Sequence, residues 1–252
     1  MIEVFLLSLV QGITEFIPVS SSSHLFLLSG FMDYKNQSLS IDVSLHIGSF
    51  IAVITYFNKD LINFIKNKDL LFKILLSSIP TMLIGFFLVK TNLIDKMRNV
   101  EVIAWTTIIF GVLLYHSDKF NLTKNIKNNF NFKSALIIGL FQVLSLIPGV
   151  SRSGITITAA RFLNFKRFDA AKISFLLSIP TLGAVSIFGL HEIYFIQDMK
   201  ISLANIYSIL FSFTFSYLTI KYFLEFIQKF SLKVFILYRI ILGLLLLFIV
   251  YL

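Results

Sequence analysis

The chain has 252 residues, of which 57% are hydrophobic and only 14% are charged. Soluble domains carry nearer a quarter of charged residues, so this composition excludes a large water-soluble domain and predicts an all-α protein that crosses the bilayer several times. The net charge of +9 does not indicate nucleic-acid binding, because Lys and Arg lie in short loops, and the absence of Cys excludes disulfides and thiolate chemistry.

The first apolar run, residues 2–17, is predicted to belong to the mature fold, because Glu3 stands where a signal peptide would carry Lys or Arg. This run is short and ends at Pro18, before a tract of serines. A second short run, residues 134–147, ends in the same way at Pro148. Irregular backbone at membrane depth is stable only where it is buried in protein or faces a cavity. Because both short runs end at a Pro before polar residues, we predict that they form two re-entrant helical hairpins.

Six other apolar runs are long enough to span a bilayer. They cover residues 43–57, 70–89, 100–115, 173–190, 201–220 and 234–252. The fold class predicted from these runs is a polytopic membrane protein with six transmembrane helices and two re-entrant hairpins.

Counting Lys and Arg in the loops of this arrangement divides them fifteen to five between the two faces. The face with fifteen is predicted to be cytoplasmic, so both termini lie outside. The smaller group is Lys35, Lys90, Lys96, Arg98 and Lys200. The larger group is Lys59, Lys66, Lys68, Lys73, Lys119, Lys124, Lys127, Lys133, Arg161, Lys166, Arg167, Lys172, Lys221, Lys229 and Lys233.

The two hairpins also resemble each other. Leu9, Gln11, Thr14, Ile17, Pro18, Val19, Ser20 and Ser22 align with Leu140, Gln142, Ser145, Ile147, Pro148, Val150, Ser151 and Ser153. The tetrapeptide Ser-Ile-Pro-Thr at residues 78–81 recurs at residues 178–181. Three spans separate the halves, so a single domain 1–252 is predicted to hold an inverted-topology repeat, about 1–117 and about 133–252, with the hairpin tips meeting near the membrane centre.

The second hairpin carries Ser151, Arg152, Ser153 and Thr156, and Gly154 allows a ligand to approach the backbone closely. A helix begins after this loop, so amides, hydroxyls and a guanidinium converge as a phosphate-binding site. The alternative is that Arg152 is a loop cation that snorkels to the interface.

The first hairpin carries Gln11 and Glu15, which share one helix face at a spacing of four residues, together with Ser20. A carboxylate does not by itself favour phosphate. A divalent cation, Mg²⁺ or Ca²⁺, is therefore predicted to be bound by Glu15 and Gln11 and to bridge them to a phosphate, which Ser20 also binds. The alternative is that Glu15 is a structural partner of Arg152.

Ser21 and His24 lie three residues apart after Pro18, a spacing that allows a nucleophile and its base. The serine tract supplies several hydroxyls, so the sequence does not settle which Ser is the nucleophile.

Two other polar residues lie within the apolar spans. His46 lacks an acidic neighbour at helical spacing and is interpreted as a hydrogen-bonded core residue. Arg239 is interpreted as a cation that snorkels to the cytoplasmic interface.

Residues 11–24 and 148–156 resemble the two signature motifs of the bacterial undecaprenyl-diphosphate phosphatase family, the bacitracin-resistance type. The resemblance covers the whole chain and implies inverted repeats with two re-entrant hairpins, hydrolysis of undecaprenyl diphosphate to the monophosphate, and a divalent-metal requirement. Gln11 occupies a position at which many members carry Glu, and Ser23 stands where the family usually has Gly.

The sequence therefore predicts a phosphatase of the bacterial inner membrane that acts on a polyprenyl diphosphate at its external face. Its catalytic residues are Glu15, Ser21, His24 and Arg152, and a role in cell-wall synthesis and bacitracin resistance follows from the resemblance. Broken helices in inverted repeats also occur in transporters, so a carrier or flippase of an anionic lipid is the alternative. A homo-oligomer is left open.

Overall fold

The computed structural model describes residues 1–32, 38–66, 68–91, 93–119, 123–196 and 202–252. Within these ranges the chain is helical apart from short connections and one isolated bridge between Lys124 and Phe165, which confirms the all-α prediction. The helices are α1 Ile2–Thr14, α2 Ser21–Met32, α3 Leu39–Tyr56, α4 Asn58–Lys66, α5 Lys68–Lys90, α6 Leu93–Met97, α7 Val100–Asp118, α8 Ile126–Asn129, α9 Phe132–Val143, α10 Arg152–Phe162, α11 Arg167–Ile196, α12 Leu203–Lys229 and α13 Lys233–Tyr251.

Six helices in the described part of the chain, α3, α5, α7, α11, α12 and α13, are long and apolar enough to cross a membrane, as predicted. Helix α12 extends furthest past the end of its predicted span, because it continues from Lys221 to Lys229 and has 27 residues. A helix of this length measures about 40 Å, whereas the hydrocarbon core is about 30 Å thick, so its lysine-bearing end can reach the head-group region. The predicted start of this span, Ile201, and the loop cations Lys35 and Lys200 lie outside the described residues.

Two pairs of shorter helices, α1 with α2 and α9 with α10, are broken where the sequence places Pro and Ser. The first break, residues 15–20, is called here the first tip, and it ends at Ser20 with a φ of 81°. The second tip, residues 147–151, contains Gly149 and Ser151 with φ values of 90° and 72°. Serine rarely adopts a positive φ, so the surrounding contacts must hold both tips in place.

The first helix pair packs against α12 and α13. An added Cβ on Gly12 of α1 would lie 2.4 Å from Cβ of Phe215 in α12, so only Gly permits this approach. On the other side of the pair, the His24 ring of α2 stacks on the Tyr238 ring of α13, with the ring centroids 5.7 Å apart.

The second helix pair makes the corresponding contacts with α5 and α7. An added Cβ on Gly139 of α9 would lie 2.3 Å from the backbone oxygen of Ser77 in α5. At Gly149 in the second tip it would lie 2.0 Å from Oγ1 of Thr106 in α7. The first pair therefore packs against α12 and α13, which follow the second pair in the chain. The second pair packs against α5 and α7, which follow the first pair. This exchanged packing brings the two tips together.

The repeated Ser-Ile-Pro-Thr tetrapeptide does not mark equivalent helices, so its interpretation as a sign of the repeat was wrong. Residues 78–81 lie in α5, the second long helix after the first pair, whereas residues 178–181 lie in α11, the first long helix after the second pair. The two copies meet in space instead, because Thr81 and Thr181 line the same cavity.

Candidate functional site

Glu15 joins the two tips. Its Oε1 accepts a hydrogen bond from Nη2 of Arg152 at 2.7 Å. Its Oε2 accepts hydrogen bonds from Oγ of Ser21 at 2.6 Å and from Nε2 of Gln11 at 3.1 Å. Glu15 is 8% exposed, and its ion pair with Arg152 connects residues 137 positions apart in the chain. Gln11, Glu15, Ser21 and Arg152, which were predicted from separate motifs, therefore form one cluster.

The second tip is held by its own hydroxyl groups. Oγ of Ser151 accepts a hydrogen bond from the backbone amide of Gly154 at 3.1 Å and so caps α10. Ser153 donates its hydroxyl to the backbone oxygen of Ile17 in the first tip at 2.8 Å. Thr156 Oγ1 lies 2.7 Å from Oγ of Ser174 in α11. These contacts stabilise the junction of the tips.

A cavity of about 210 Å³ opens beside the Glu15–Arg152 pair. Both charged side chains line it, together with His46 and the apolar residues Leu146, Leu182 and Val185. Its remaining lining residues all carry hydroxyl groups: Thr14, Ser20, Ser21, Ser22, Thr81, Ser145, Ser151 and Thr181. This lining offers many hydrogen-bond donors and one guanidinium to an anion.

The predicted phosphate-binding residues divide between the cavity and the junction of the tips. Ser20, Ser151 and Arg152 line the cavity. Ser153, Gly154 and Thr156 are engaged in the contacts that hold the second tip, and they do not appear among the residues lining the cavity in the described part of the chain.

Arg239 does not snorkel to the interface, so that interpretation was wrong. Its side chain in α13 is fully buried, and its guanidinium donates to four backbone oxygens: Pro18 at 3.1 Å, Val150 at 3.1 Å, Gly149 at 3.0 Å and Thr107 at 3.2 Å. One side chain thus binds both tips and α7. Carbonyl groups at the ends of the broken helices need donors, and Arg239 supplies them.

Ser21 and His24 do not contact each other as a nucleophile and its base would. The Ser21 hydroxyl points to Glu15, six residues earlier in the chain. Nδ1 of His24 lies 2.6 Å from the backbone oxygen of Ser20, and its Nε2 lies 2.6 Å from the hydroxyl of Tyr238. The acceptor beside Ser21 is therefore the Glu15 carboxylate, and His24 is directed toward α13.

The charges of the site favour an anion. Glu15 and Arg152 form an ion pair, and their charges offset each other. Arg239 adds a positive charge whose four hydrogen bonds all go to backbone carbonyl groups. A buried guanidinium solvated only by carbonyl dipoles attracts a negatively charged ligand more strongly than the same group would in water.

Glu15 and Gln11 carry oxygen atoms of the kind that hold a divalent cation. Gln11 Oε1 is buried without a hydrogen-bond partner, on the amide whose Nε2 contacts Glu15. Among the described residues no group of three His, Cys, Asp or Glu side chains is placed to hold a metal ion. An ion here would therefore have Glu15 as its charged protein ligand and would depend on further oxygens from a bound phosphate or water.

A larger apolar groove of about 500 Å³ lies on the other face of α1 and is not the site. Ile13 and Ile17 line it, whereas Thr14 and Glu15 line the polar cavity. Its wall is otherwise built from side chains of α12 and α13 and includes no charged residue within the described ranges. It therefore offers no group that could bind or cleave a phosphate.

The sequence did not identify His46, Thr81 or Thr181 as part of this site. His46 is hydrogen-bonded, as predicted for it, but its partner is Gln11 at 3.2 Å and its ring lines the cavity. The available signal was the presence of polar residues within otherwise apolar spans, which often marks a functional position.

Comparison with known proteins covers almost the whole chain. Residues 4–245 match the family model described as bacitracin resistance protein BacA. A protein of Pelagibacter ubique named undecaprenyl-diphosphatase is 48% identical, over 99% of this chain and 98% of that protein. Proteins of the same name from Jannaschia sp. and Saccharophagus degradans are 38% and 42% identical, over 98% and 94% of this chain and 97% and 93% of their own.

Proposed function

Because the chain belongs to the bacitracin resistance protein BacA family, we propose that it hydrolyses undecaprenyl diphosphate to undecaprenyl phosphate and inorganic phosphate. The observation that carries this proposal is the Ser21–Glu15–Arg152 cluster at the cavity where the two tips meet. The product is the lipid carrier of cell-wall synthesis, and its recycling accounts for resistance to bacitracin in the family.

Ser21 is the proposed nucleophile. Its Oγ attacks the terminal phosphorus while its proton passes to Oε2 of Glu15, which already accepts that hydrogen bond at 2.6 Å. The bond from phosphorus to the bridging oxygen breaks, and undecaprenyl phosphate leaves with the electron pair. Water then hydrolyses the phosphoserine, and Glu15 returns the proton to Ser21.

Arg152 is proposed to stabilise the charge that develops on the phosphoryl oxygens. One of its nitrogens, Nη2, is engaged by Glu15, and another, Nη1, donates to the backbone oxygen of Ser174 at 3.2 Å. These two bonds orient the guanidinium plane while leaving other N–H groups for the substrate. A donor that is oriented before the reaction contributes most in the transition state.

We propose that hydrolysis requires a divalent ion, Mg²⁺ or Ca²⁺, which Glu15 would hold with Gln11 as a neutral oxygen ligand. When bound, it would neutralise charge on the diphosphate and make the terminal phosphorus more electrophilic. The unpartnered Oε1 of Gln11 supports this placement.

Removal of the metal is expected to abolish phosphate release. In excess EDTA the wild-type protein should be inactive. Glu15→Gln should also be inactive even when Mg²⁺ is added, because it removes both the charged ligand and the group that takes the Ser21 proton. Gln11→Glu serves as the control and should remain active, since it keeps an oxygen ligand at this position although it removes the hydrogen bond to Glu15. Full activity in EDTA would contradict the metal requirement.

The isoprenoid chain is proposed to leave the cavity between α5 and α11. Two of the three apolar lining residues, Leu182 and Val185, lie on α11, and Thr81 of α5 lines the same cavity. Helix α5 also carries exposed apolar side chains such as Leu83 and Phe86. An apolar exit beside a polar cavity fits a lipid whose head group alone is charged.

The two helix pairs are proposed to be re-entrant hairpins of an inverted repeat in the bacterial inner membrane, with both termini and the cavity opening outside. Helices α1 and α9 have 13 and 12 residues, too few to cross about 30 Å of hydrocarbon. The exchanged packing of each pair against the other half supports the repeat.

Cysteine labelling is expected to confirm this orientation, and the native chain contains no Cys that would interfere. Thr91→Cys, after α5, should react with an impermeant maleimide added outside intact cells. Lys127→Cys, in α8, should react only after the membrane is opened. Both positions are exposed in the structure, so accessibility of the side chain is matched. The reverse labelling pattern would contradict the assigned orientation.

Phosphate release from the purified protein tests the function. In detergent, without vesicles, wild-type protein with undecaprenyl diphosphate and Mg²⁺ should release inorganic phosphate, and Ser21→Ala should not. A carrier or flippase of anionic lipids would release none in the absence of two compartments, so the same assay distinguishes the two functions.

A further inference from the structure

Most of the hydroxyl groups that line the cavity are already engaged within the protein. Thr14, Ser21 and Thr181, for example, donate to backbone or carboxylate oxygens. The hydroxyls of Ser22 and Ser145 differ, because they make no hydrogen bond within the described part of the chain. Ser22 lies beside the proposed nucleophile, whereas the proposed mechanism does not use Ser145. The Ser145 hydroxyl is therefore available to a ligand.

Thr81 of α5 offers a second hydroxyl hydrogen to the cavity. Its Oγ1 accepts a hydrogen bond from Nε2 of Gln142 at 3.2 Å, and it donates to no other described residue. A hydroxyl group has one hydrogen and two lone pairs, so an oxygen that accepts from an amide keeps its own hydrogen for another partner. The side chain of Thr81 lines the cavity, and a ligand there would be that partner.

Thr81 and Ser145 belong to one wall of the cavity, where α5 packs on α9 and on the turn Leu144–Leu146 that follows it. Thr81 contacts Gln142, three residues before Ser145. One helical turn after Thr81, an added Cβ on Gly85 would lie 3.3 Å from Cδ2 of Leu146. The two segments therefore run side by side, and Ser145 lies between the two points at which they touch.

The apolar residues near this wall indicate which phosphoryl group it would bind. The proposed mechanism assigns Ser21 and Arg152 to the terminal phosphate. Ser145 directly precedes Leu146, an apolar residue of the cavity lining, and Thr81 lies on one of the two helices that flank the proposed exit of the isoprenoid chain. The phosphate that is bonded to the chain must lie between the terminal phosphate and that exit.

We propose that Thr81 and Ser145 bind the phosphate that carries the isoprenoid chain, each donating its hydroxyl hydrogen to an oxygen of that group. The ligand class is a prenyl diphosphate or the prenyl monophosphate formed from it, and the assignment rests on the proposed function of the same cavity. Neutral donors bind an anion less strongly than a guanidinium does. The product keeps this phosphate, so it is held by neutral hydroxyl groups and not by Arg152.

Binding of two ligands tests the assignment. Farnesyl methylenediphosphonate, which cannot be hydrolysed between its phosphorus atoms, carries a prenyl chain and both phosphoryl groups, whereas inorganic phosphate is expected to bind at Arg152. Thr81→Val and Ser145→Ala should each weaken binding of the analogue about 10- to 100-fold, the range for one hydrogen bond to a charged group. Affinity for inorganic phosphate should stay within about threefold of wild type, because that ligand does not reach the two hydroxyls. Calorimetric titration in detergent with Mg²⁺ measures both ligands.

Matched variants separate the loss of a donor from a change in structure. Thr81→Ser keeps the hydroxyl and should bind the analogue within about threefold of wild type, whereas Thr81→Val keeps the shape of the side chain and loses the donor. Thr214→Val makes the same change at an exposed position of α12, where the hydroxyl donates to the backbone oxygen of Leu210. It should bind both ligands as the wild-type protein does.

Unchanged affinity for the analogue in either variant would overturn the assignment of that residue. An equal loss of affinity for the analogue and for inorganic phosphate would overturn the proposal as a whole, because the two hydroxyls would then act on the entire cavity.

These titrations do not depend on turnover, so they separate the binding site from the function of the protein. A selective loss of analogue binding, in a protein that releases no phosphate, would retain the site for the prenyl-bearing phosphate and reject the phosphatase. Hydrolysis by the wild-type protein, with analogue binding unchanged in both variants, would reject this site alone.

Discussion

Arg152→Lys is expected to release phosphate about 10²- to 10³-fold more slowly than the wild-type protein, the usual cost of losing one oriented donor in a site poor in water. Lysine keeps the positive charge but cannot reach Glu15 and the Ser174 backbone oxygen while also presenting N–H groups to the substrate. Because the guanidinium acts mainly on charge that develops in the transition state, the loss should appear in kcat rather than in KM.

Steady-state kinetics with undecaprenyl diphosphate measure this effect. Arg98→Lys, at an exposed position before α7, serves as the control and should behave as wild type. A near-normal Arg152→Lys protein would remove Arg152 from the catalytic residues. A normal kcat with a strongly raised KM would restrict Arg152 to binding of the ground state.

Arg239→Lys is expected to destabilise the protein and abolish its activity together. A single ammonium group cannot serve four carbonyl groups spread over two tips and α7. Each buried carbonyl left without a donor costs about 1–3 kcal/mol, so the loss of two or three is large compared with the stability of a typical domain.

The unfolding midpoint in detergent and the rate of phosphate release should both fall in Arg239→Lys. Lys233→Met, at the exposed start of the same helix, removes a positive charge without touching the tips and is the matched control. A stable and fully active Arg239→Lys protein would show that the tips hold their positions without this guanidinium.

The sequence predicted those features that depend on composition and local chain geometry. Uninterrupted apolar runs predicted the six long helices, and Pro18 and Pro148 predicted the two breaks. Gln11 and Glu15 were predicted to share a helix face, and they form a hydrogen bond across one helical turn.

Contacts between distant segments could not be predicted in the same way. Arg239 lies two turns inside α13, and its position near the end of an apolar run suggested an interfacial cation. The sequence does not show that the first pair packs beside α13 and brings the Pro18 carbonyl within reach of Arg239. The spacing of Ser21 and His24 suggested a pair, but the positive φ of Ser20 turns the chain so that Ser21 faces Glu15 across the break.

The most direct test of the proposed mechanism is to identify the atom that receives the phosphoryl group. Purified protein is mixed with undecaprenyl diphosphate labelled on its terminal phosphate, and the reaction is stopped with acid within one turnover. We expect an acid-stable phosphoserine on the peptide that contains Ser21, and no such label in Ser21→Ala. Rapid turnover with no labelled protein, together with substantial activity in Ser21→Ala, would contradict the proposed site.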